Sequence, residues 1–457
     1  MEFDFQAYLS SLYPSTAYHI TFLTGGLVNF TVRARRADAG SFPSPPSPNS
    51  LPPSLILKHA PPYIATLGAS APFSQARQTV EATVLELFHN PTNSQQQQQQ
   101  RHETPLAFVT HGSNPEADEA VRIPRLIAHD ATSNILMLED LGDDLVTLWD
   151  LFTDPAATAQ NSAPARPLRD RCATMGVRLG RFFRHLHSAA AFTRAAASLS
   201  EQGRAALDSA LTRDVVRDAA VRPLLARLRQ WAGLGKEEDG EDGERAAQRL
   251  YARVEADFER GDRGEAYDGE ACLSMGDFHP GSVLVSPGPA AAGGRETVAV
   301  IDWEFATARN GRGVNGDMAQ FLAHLHVLML SLPRGGAARK AVEEFVREMC
   351  RAYAGQEGSG GGDVVVVVPR QGLYERERSA LGILRSALIL FGRETINQAV
   401  ERTWEGAAIP VETMVKAGVW YLERAGDTIE EMVEERNWEE LMNEKSEIMV
   451  RLFGLKG

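Results

Sequence analysis

Apolar positions along the first third of the chain come in short clusters, and the period changes as the chain proceeds. Ile20 to Phe22, Phe30 to Ala34 and Leu55 to Lys58 are short runs of strand length bounded by turn residues. Ser74 to Phe88 has helical spacing, and Ile135 to Leu138 is a further strand ending in "EDLGDD". Beyond that point the pattern is helical over Asp170 to Ser188, Glu201 to Trp231 and Ala246 to Arg260. One strand pair interrupts it, "SVLV" (Ser282 to Val285) and "VAVID" (Val298 to Asp302). Helical periodicity then resumes over Met318 to Leu330, Ala337 to Ala354, Tyr374 to Arg402 and Val411 to Arg451. A strand-rich first part followed by a helical part carrying one hairpin predicts an α+β fold in two lobes. The lobes are expected at 1–138, with insertions at 41–53 and 92–104, and at 139–457.

Composition explains the gaps in the pattern. The Pro/Ser tract Ser41 to Pro53, the Gln run Gln95 to Gln100, the acidic Gly235 to Glu244, the Pro/Ala/Gly stretch Pro287 to Gly294 and the Gly-rich Gly355 to Gly362 bury too little surface to offset ordering entropy, so they read as inserted loops. The length of 457 residues suits more than one lobe. No apolar run reaches the roughly 18 to 20 residues that cross a bilayer, so a soluble protein with no membrane partner is expected. A formal net charge of −13 argues against a nucleic-acid surface. Three scattered cysteines, Cys172, Cys272 and Cys350, form no disulfide framework or paired metal motif. The N-terminus has no basic start and apolar signal core, so the expected compartment is the cytoplasm.

The chemistry concentrates around the hairpin. "CLSMGDFHPGSVLV" places Asp277 in a loop immediately before the first strand, and "VAVIDWEFA" places Asp302 and Glu304 where the second strand ends. On an extended segment, residues i and i+2 point to one side, so the two carboxylates are expected to face one point. Two like charges held together call for a cation, and a hard divalent cation takes carboxylate oxygens along with water and phosphate. Asp-x-Glu alone is weak, because acidic loop ends are usually solvated. The order of loop Asp, strand, hairpin, strand and Asp-x-Glu is far more restrictive.

With "MGDFHPGS", "VIDWEFA" and "NGDMAQFL" in that order, the chain resembles the aminoglycoside phosphotransferase and choline kinase group, small-molecule kinases with a protein-kinase-like fold. Among its branches the Gly-Ser and Asp-x-Glu variants are most similar to methylthioribose kinase. The C-terminal half, however, has no adjacent Arg pair of the kind that contacts substrate in that branch. The resemblance implies ATP and Mg²⁺ as cofactors and a small-molecule hydroxyl as acceptor. Asp277 would be the base, and Asp302, Glu304 and Ser282 the metal ligands, with Ser282 standing where the family has Asn and Met275 where it has His. "FLTGGLVNFTVRA" resembles the phosphate-covering turn, which implicates Gly25, Gly26 and Asn29. Lys58, steadied by Glu81, would hold the α- and β-phosphates. Leu138, Glu139 and Asp140 would form the adenine hinge, mainly through backbone groups. Asp317 is expected to cap its helix and steady the catalytic loop, with His187 and His279 as scaffold hydrogen-bonders. Arg385, Arg393 and Glu394 are candidates for the acceptor pocket. The departures at Met275 and Ser282 keep an alternative open, a nucleotide-binding pseudokinase or scaffold.

Overall fold

The computed structural model describes residues 3–37, 52–89, 104–111, 120–154, 168–208, 213–234, 240–263, 265–267, 270–288, 296–308, 311–355 and 378–427. The expected insertions fall largely outside these residues. The acidic Gly-rich stretch is shorter than its composition suggests, because a helix begins at Gly240.

The strand-rich part is a five-stranded antiparallel sheet in the order β1-β2-β3-β5-β4. Its strands are β1 (Tyr18–Phe22), β2 (Phe30–Arg36), β3 (Ser54–His59), β4 (Leu126–Asp130) and β5 (Ile135–Glu139). Alternation along β3 and β5 assigns the two faces. Leu55, Leu57, Ile135 and Met137 join Phe5 and Leu9 of helix α1 (Phe5–Leu12) in one apolar cluster. Leu136 and Leu138 join the main core on the other face, where helix α2 (Arg77–His89) lies. Lys58 is one residue beyond Leu57 and so points to the α2 side. Helix α1 and strand β4 carry too few periodic residues to stand out in the sequence pattern.

His59, the last residue of β3, points back toward α1 and stacks on Phe3 with ring centroids 4.3 Å apart. Burial, then the charge of Arg77, pushes its imidazole down to about 4 from the usual 6.5. Between those values the unfolded chain binds a proton that the folded protein refuses, so stability falls as pH is lowered through that window. The unfolding midpoint is expected to drop between pH 7 and pH 5, and His59→Phe to flatten part of that slope. An unchanged slope in the variant would remove His59 from the account.

The helical part is built from α3 (Ala107–His111), α4 (Leu148–Thr153), α5 (Leu168–Leu186), α6 (Ala189–Ser198), α7 (Glu201–Leu207), α8 (Arg213–Val216), α9 (Leu224–Trp231), α10 (Gly240–Asp262), α11 (Ala319–Ser331), α12 (Ala337–Tyr353), α13 (Arg378–Glu401) and α14 (Val411–Arg424). The run expected as one helix from Glu201 to Trp231 is broken, with a π-turn at Arg217–Val221 and Pro223 ahead of α9, since proline ends the upstream hydrogen-bond ladder. A three-stranded antiparallel sheet, β6 (Val146–Thr147), β7 (Val283–Val285) and β8 (Val298–Val300), carries the hairpin. Helices α5 and α12 touch backbone to backbone. A Cβ on Gly176 would lie 2.4 Å from the Phe345 carbonyl oxygen, and one on Gly180 would lie 2.3 Å from that of Met349. Only glycine permits this seam.

Candidate active site

The base candidate sits on a loop held from three sides. Asp317 accepts hydrogen bonds from the backbone N–H groups of Met275 (2.7 Å) and Gly276 (2.9 Å), the two residues before Asp277. His187 Nε2 lies 3.1 Å from the same carboxylate, and its Nδ1 pairs with the Tyr353 hydroxyl. Asp317 therefore steadies the loop, but it does not cap α11. It lies inside a π-turn, Gly313–Met318, and no side-chain cap is made there. Gly276 has φ +83°, and a Cβ there would meet the Phe305 carbonyl oxygen at 2.1 Å. Behind the loop, Phe278 is sandwiched between Phe183 of α5 (3.9 Å) and Phe321 of α11 (4.1 Å). With Phe278 buried, Asp277 is turned outward, its side chain 41% exposed.

Asp302 and Glu304 take their direction in a different way from the expected one. Strand β8 stops at Val300, Asp302 has φ +65°, and the segment is a turn rather than an extended strand. Asp tolerates this left-handed conformation better than most residues. Trp303 drives the turn. It is fully buried, packed near Phe88 and Phe182, and the carboxylates on either side are left facing β3 and α2.

There they meet Lys58. Its Nζ is 2.8 Å from Glu81 Oε2, 2.8 Å from Asp302 Oδ1 and 3.7 Å from Glu304 Oε2. Burial alone would lower the lysine, yet the charges of Asp302, Glu304 and Glu81 carry it well above its usual range, so it is a fixed cation. Glu81 is shifted upward by burial against the pull of Lys58. Enclosure pushes Asp302 upward too, but the charge and hydrogen bond of Lys58 prevail and hold it below the usual carboxylate range.

Glu304 is also held by the glycine-bearing turn. Asn29 Nδ2 donates to its Oε2 at 2.5 Å, and Arg77 Nε, 3.8 Å from that oxygen, donates to Asn29 Oδ1 at 3.1 Å. No motif pointed to Arg77, which is fully buried. The available signal was its place one helical turn before Glu81, on the same face of α2. Gly25, at φ +107°, and Gly26 form the turn, and the loop at Ala65 and Thr66 backs it through hydrogen bonds to Val28 and Leu27.

The remaining candidates divide. Ser282 is fully buried, and its hydroxyl donates to the His279 carbonyl oxygen at 2.7 Å in a turn that precedes β7, so it is committed to the scaffold. Of the residues expected at the hinge, Leu138 lies in β5, and the Glu139 N–H donates to the Arg125 carbonyl oxygen. The Glu139 carboxylate pairs with Arg122, and that of Asp140 with Arg33 and Ser54. Arg385 donates to the Asp427 backbone. Arg393 and Glu394 form a buried pair at 2.6 Å, and Glu394 Oε2 lies 4.0 Å from His324 Nε2. Burial, and the charge of Asp277 among others, shifts Glu394 upward against Arg393, which places the pair on the Asp277 side. Gln320, another residue no motif singled out, donates from Nε2 to Asp277 Oδ1 at 2.6 Å. It stands three residues after Asp317, on the first turn of α11.

One base candidate on a braced loop and a lysine among three carboxylates are features that a sequence family can be checked against. The sequence model of the phosphotransferase enzyme family matches residues 76–310, just over half of the chain. The chain belongs to this family. The described residues have the expected α+β order, a strand-rich part followed by a mainly helical part that carries the hairpin. The matched span contains Glu81, Asp277, Asp302 and Glu304; Lys58 and the Gly25-Gly26 turn lie before it, and Gln320 after it. Among solved structures, the chain is similar to an ethanolamine kinase from Plasmodium vivax (9% identity, 89% of this chain and 81% of that chain covered, TM-score 0.34). It is also similar to a macrolide 2'-phosphotransferase type I (16% identity, 92% and 99% covered, TM-score 0.37). A third is a choline kinase from Cryptosporidium parvum (9% identity, 95% and 92% covered, TM-score 0.36). No curated protein matches the chain.

Proposed function

We propose that the protein is an ATP- and Mg²⁺-dependent kinase that phosphorylates a hydroxyl of a small metabolite. The observation that carries this reading is the single cluster made by Lys58, Glu81, Asp302 and Glu304, residues up to 246 positions apart, with Phe305, next after Glu304, packed on Gly276 of the Asp277 loop. Lys58, kept charged, suits the α- and β-phosphates, and Glu81 fixes its direction. The Gly25-Gly26 turn covers the phosphates, and the hinge near Leu138 to Asp140 takes the adenine and divides the lobes.

The donor set fits a hard divalent cation. Asp302 has one oxygen on Lys58 and a side chain 42% exposed, and Glu304 stands beside it. Among the described residues no group of three or more His, Cys, Asp or Glu is arranged to hold a metal. Mg²⁺ takes one or two carboxylates and fills its shell with water and phosphate oxygens, so the proposed ligands are the Asp302 and Glu304 carboxylates. Asp302 is the leading ligand, and Ser282, with its hydroxyl committed, serves the loop instead. When bound, the cation neutralises charge on the β- and γ-phosphates.

The acidic chain and three buried free thiols fit a reducing cytoplasm. Among the described residues, no helix is long and apolar enough to cross a membrane. The test is a Mg²⁺-dependent ADP-release screen against amino alcohols, sugars, methylthioribose and aminoglycosides. Stimulation by one alcohol supports the kinase; magnesium-dependent ATP binding without transfer to any of them supports the pseudokinase.

A further inference from the structure

His279 is committed to the scaffold through only one of its ring nitrogens. The Gly281 backbone N–H donates to His279 Nδ1 at 3.0 Å, making this residue the N-cap of the turn Pro280–Ser282. A backbone N–H can only donate, so Nδ1 is the acceptor and the proton of the neutral ring sits on Nε2. That Nε2 faces Asp277 Oδ2 at 4.0 Å. The gap is too long for a direct hydrogen bond, yet one oxygen atom about 2.8 Å from each would fit between them. The other carboxylate oxygen, Oδ1, is occupied by Gln320. Behind the ring lies His324 of α11, its centroid 5.8 Å away and its plane 15° from parallel.

From this geometry we infer that His279 is a catalytic residue, which grips the acceptor oxygen between its Nε2–H and Asp277 Oδ2. The inference rests on the kinase reading above and extends it to the acceptor's chemistry. The acceptor hydroxyl donates its hydrogen to Asp277 Oδ2 and accepts from His279 Nε2–H, leaving a lone pair directed at the γ-phosphorus of ATP. As the new O–P bond forms, the bond from the γ-phosphorus to the β,γ-bridging oxygen breaks. ADP departs with that electron pair, and the hydroxyl proton stays on Asp277 until solvent removes it. Only a group that can donate and accept at once fits both contacts. An alcohol qualifies, whereas a protonated amine has no lone pair to offer Nε2–H.

His279→Asn separates the cap from the grip, because Asn is a good N-cap residue but its short amide does not reach the Nε2 position. In the Mg²⁺-dependent ADP-release assay with an alcohol acceptor, turnover is expected to fall at least tenfold, with the ATP KM and the unfolding midpoint unchanged. The amine analogue of that acceptor is expected to give no transfer. ¹⁵N-resolved spectra of the wild-type imidazoles are expected to show the Nε2–H tautomer at His279, whatever the activity. Wild-type turnover in His279→Asn, transfer to the amine, or an Nδ1–H tautomer overturns the inference and leaves the kinase reading standing. Absence of ADP release by the wild type with every alcohol overturns both.

Discussion

Asp277→Asn is expected to lower phosphoryl transfer by about 10²- to 10⁴-fold, the range a positioned general base contributes, and to leave ATP binding and folding in place. The carboxylate is partly exposed, and its Oδ1 accepts from Gln320. An amide in its place still offers an oxygen to Gln320, so the loop keeps its shape. What disappears is the carboxylate oxygen proposed to take the acceptor's proton. The loop itself is fixed elsewhere, by Asp317 on the Met275 and Gly276 amides and by the Phe183, Phe278 and Phe321 stack. The measurement is ADP release at saturating acceptor, beside nucleotide titration by fluorescence or calorimetry. Near-wild-type turnover would mean that another group accepts the proton.

Arg77→Met is expected to cost about 3–5 kcal/mol of stability, the range for removing one member of a buried ionic group. The guanidinium is fully buried and lies over the Phe73 ring at 4.6 Å. Besides Asn29 it donates to four backbone carbonyls, those of Val28, Pro61, Phe73 and Ser74. Methionine fills much of the volume but leaves those acceptors without a donor and removes a cation from Glu304. Arg77→Lys should not rescue it, because an ammonium offers three donors to partners arranged around a planar fork. Urea unfolding of the three proteins checks this; a loss below about 1 kcal/mol in Arg77→Met would show that the surrounding loops hold without it.

How much of this was legible in the sequence depends on whether a residue's role is set locally. The alternation of Leu55, Leu57 and Lys58 and the helical run containing Glu81 are short-range signals, and the structure places those residues as the pattern suggests. Asp302 and Glu304 were found by motif order for an inexact reason: a buried tryptophan and a left-handed aspartate, not strand alternation, set their direction. Arg77 and Gln320 act across 48 and 43 residues, on Asn29 and Asp277, and such pairings leave no mark on local periodicity. Ser282 shows the reverse: its place in the motif implied a metal ligand, but its hydroxyl donates to the His279 carbonyl oxygen. Helix α1 and strand β4 were missed because each is short and acquires its apolar face only against a sheet that sequence windows do not see.

The glycine seam between α5 and α12 has a kinetic consequence. Gly176 meets Phe345 across 169 residues of chain, and the Phe183 ring that braces the loop of Asp277 projects from the same helix. Contacts so distant in sequence form only after a costly loop closure, and chains that rely on them fold slowly. Refolding is therefore expected to be slow, and recovery of phosphoryl transfer to lag behind recovery of helical signal, measured on the same refolding sample.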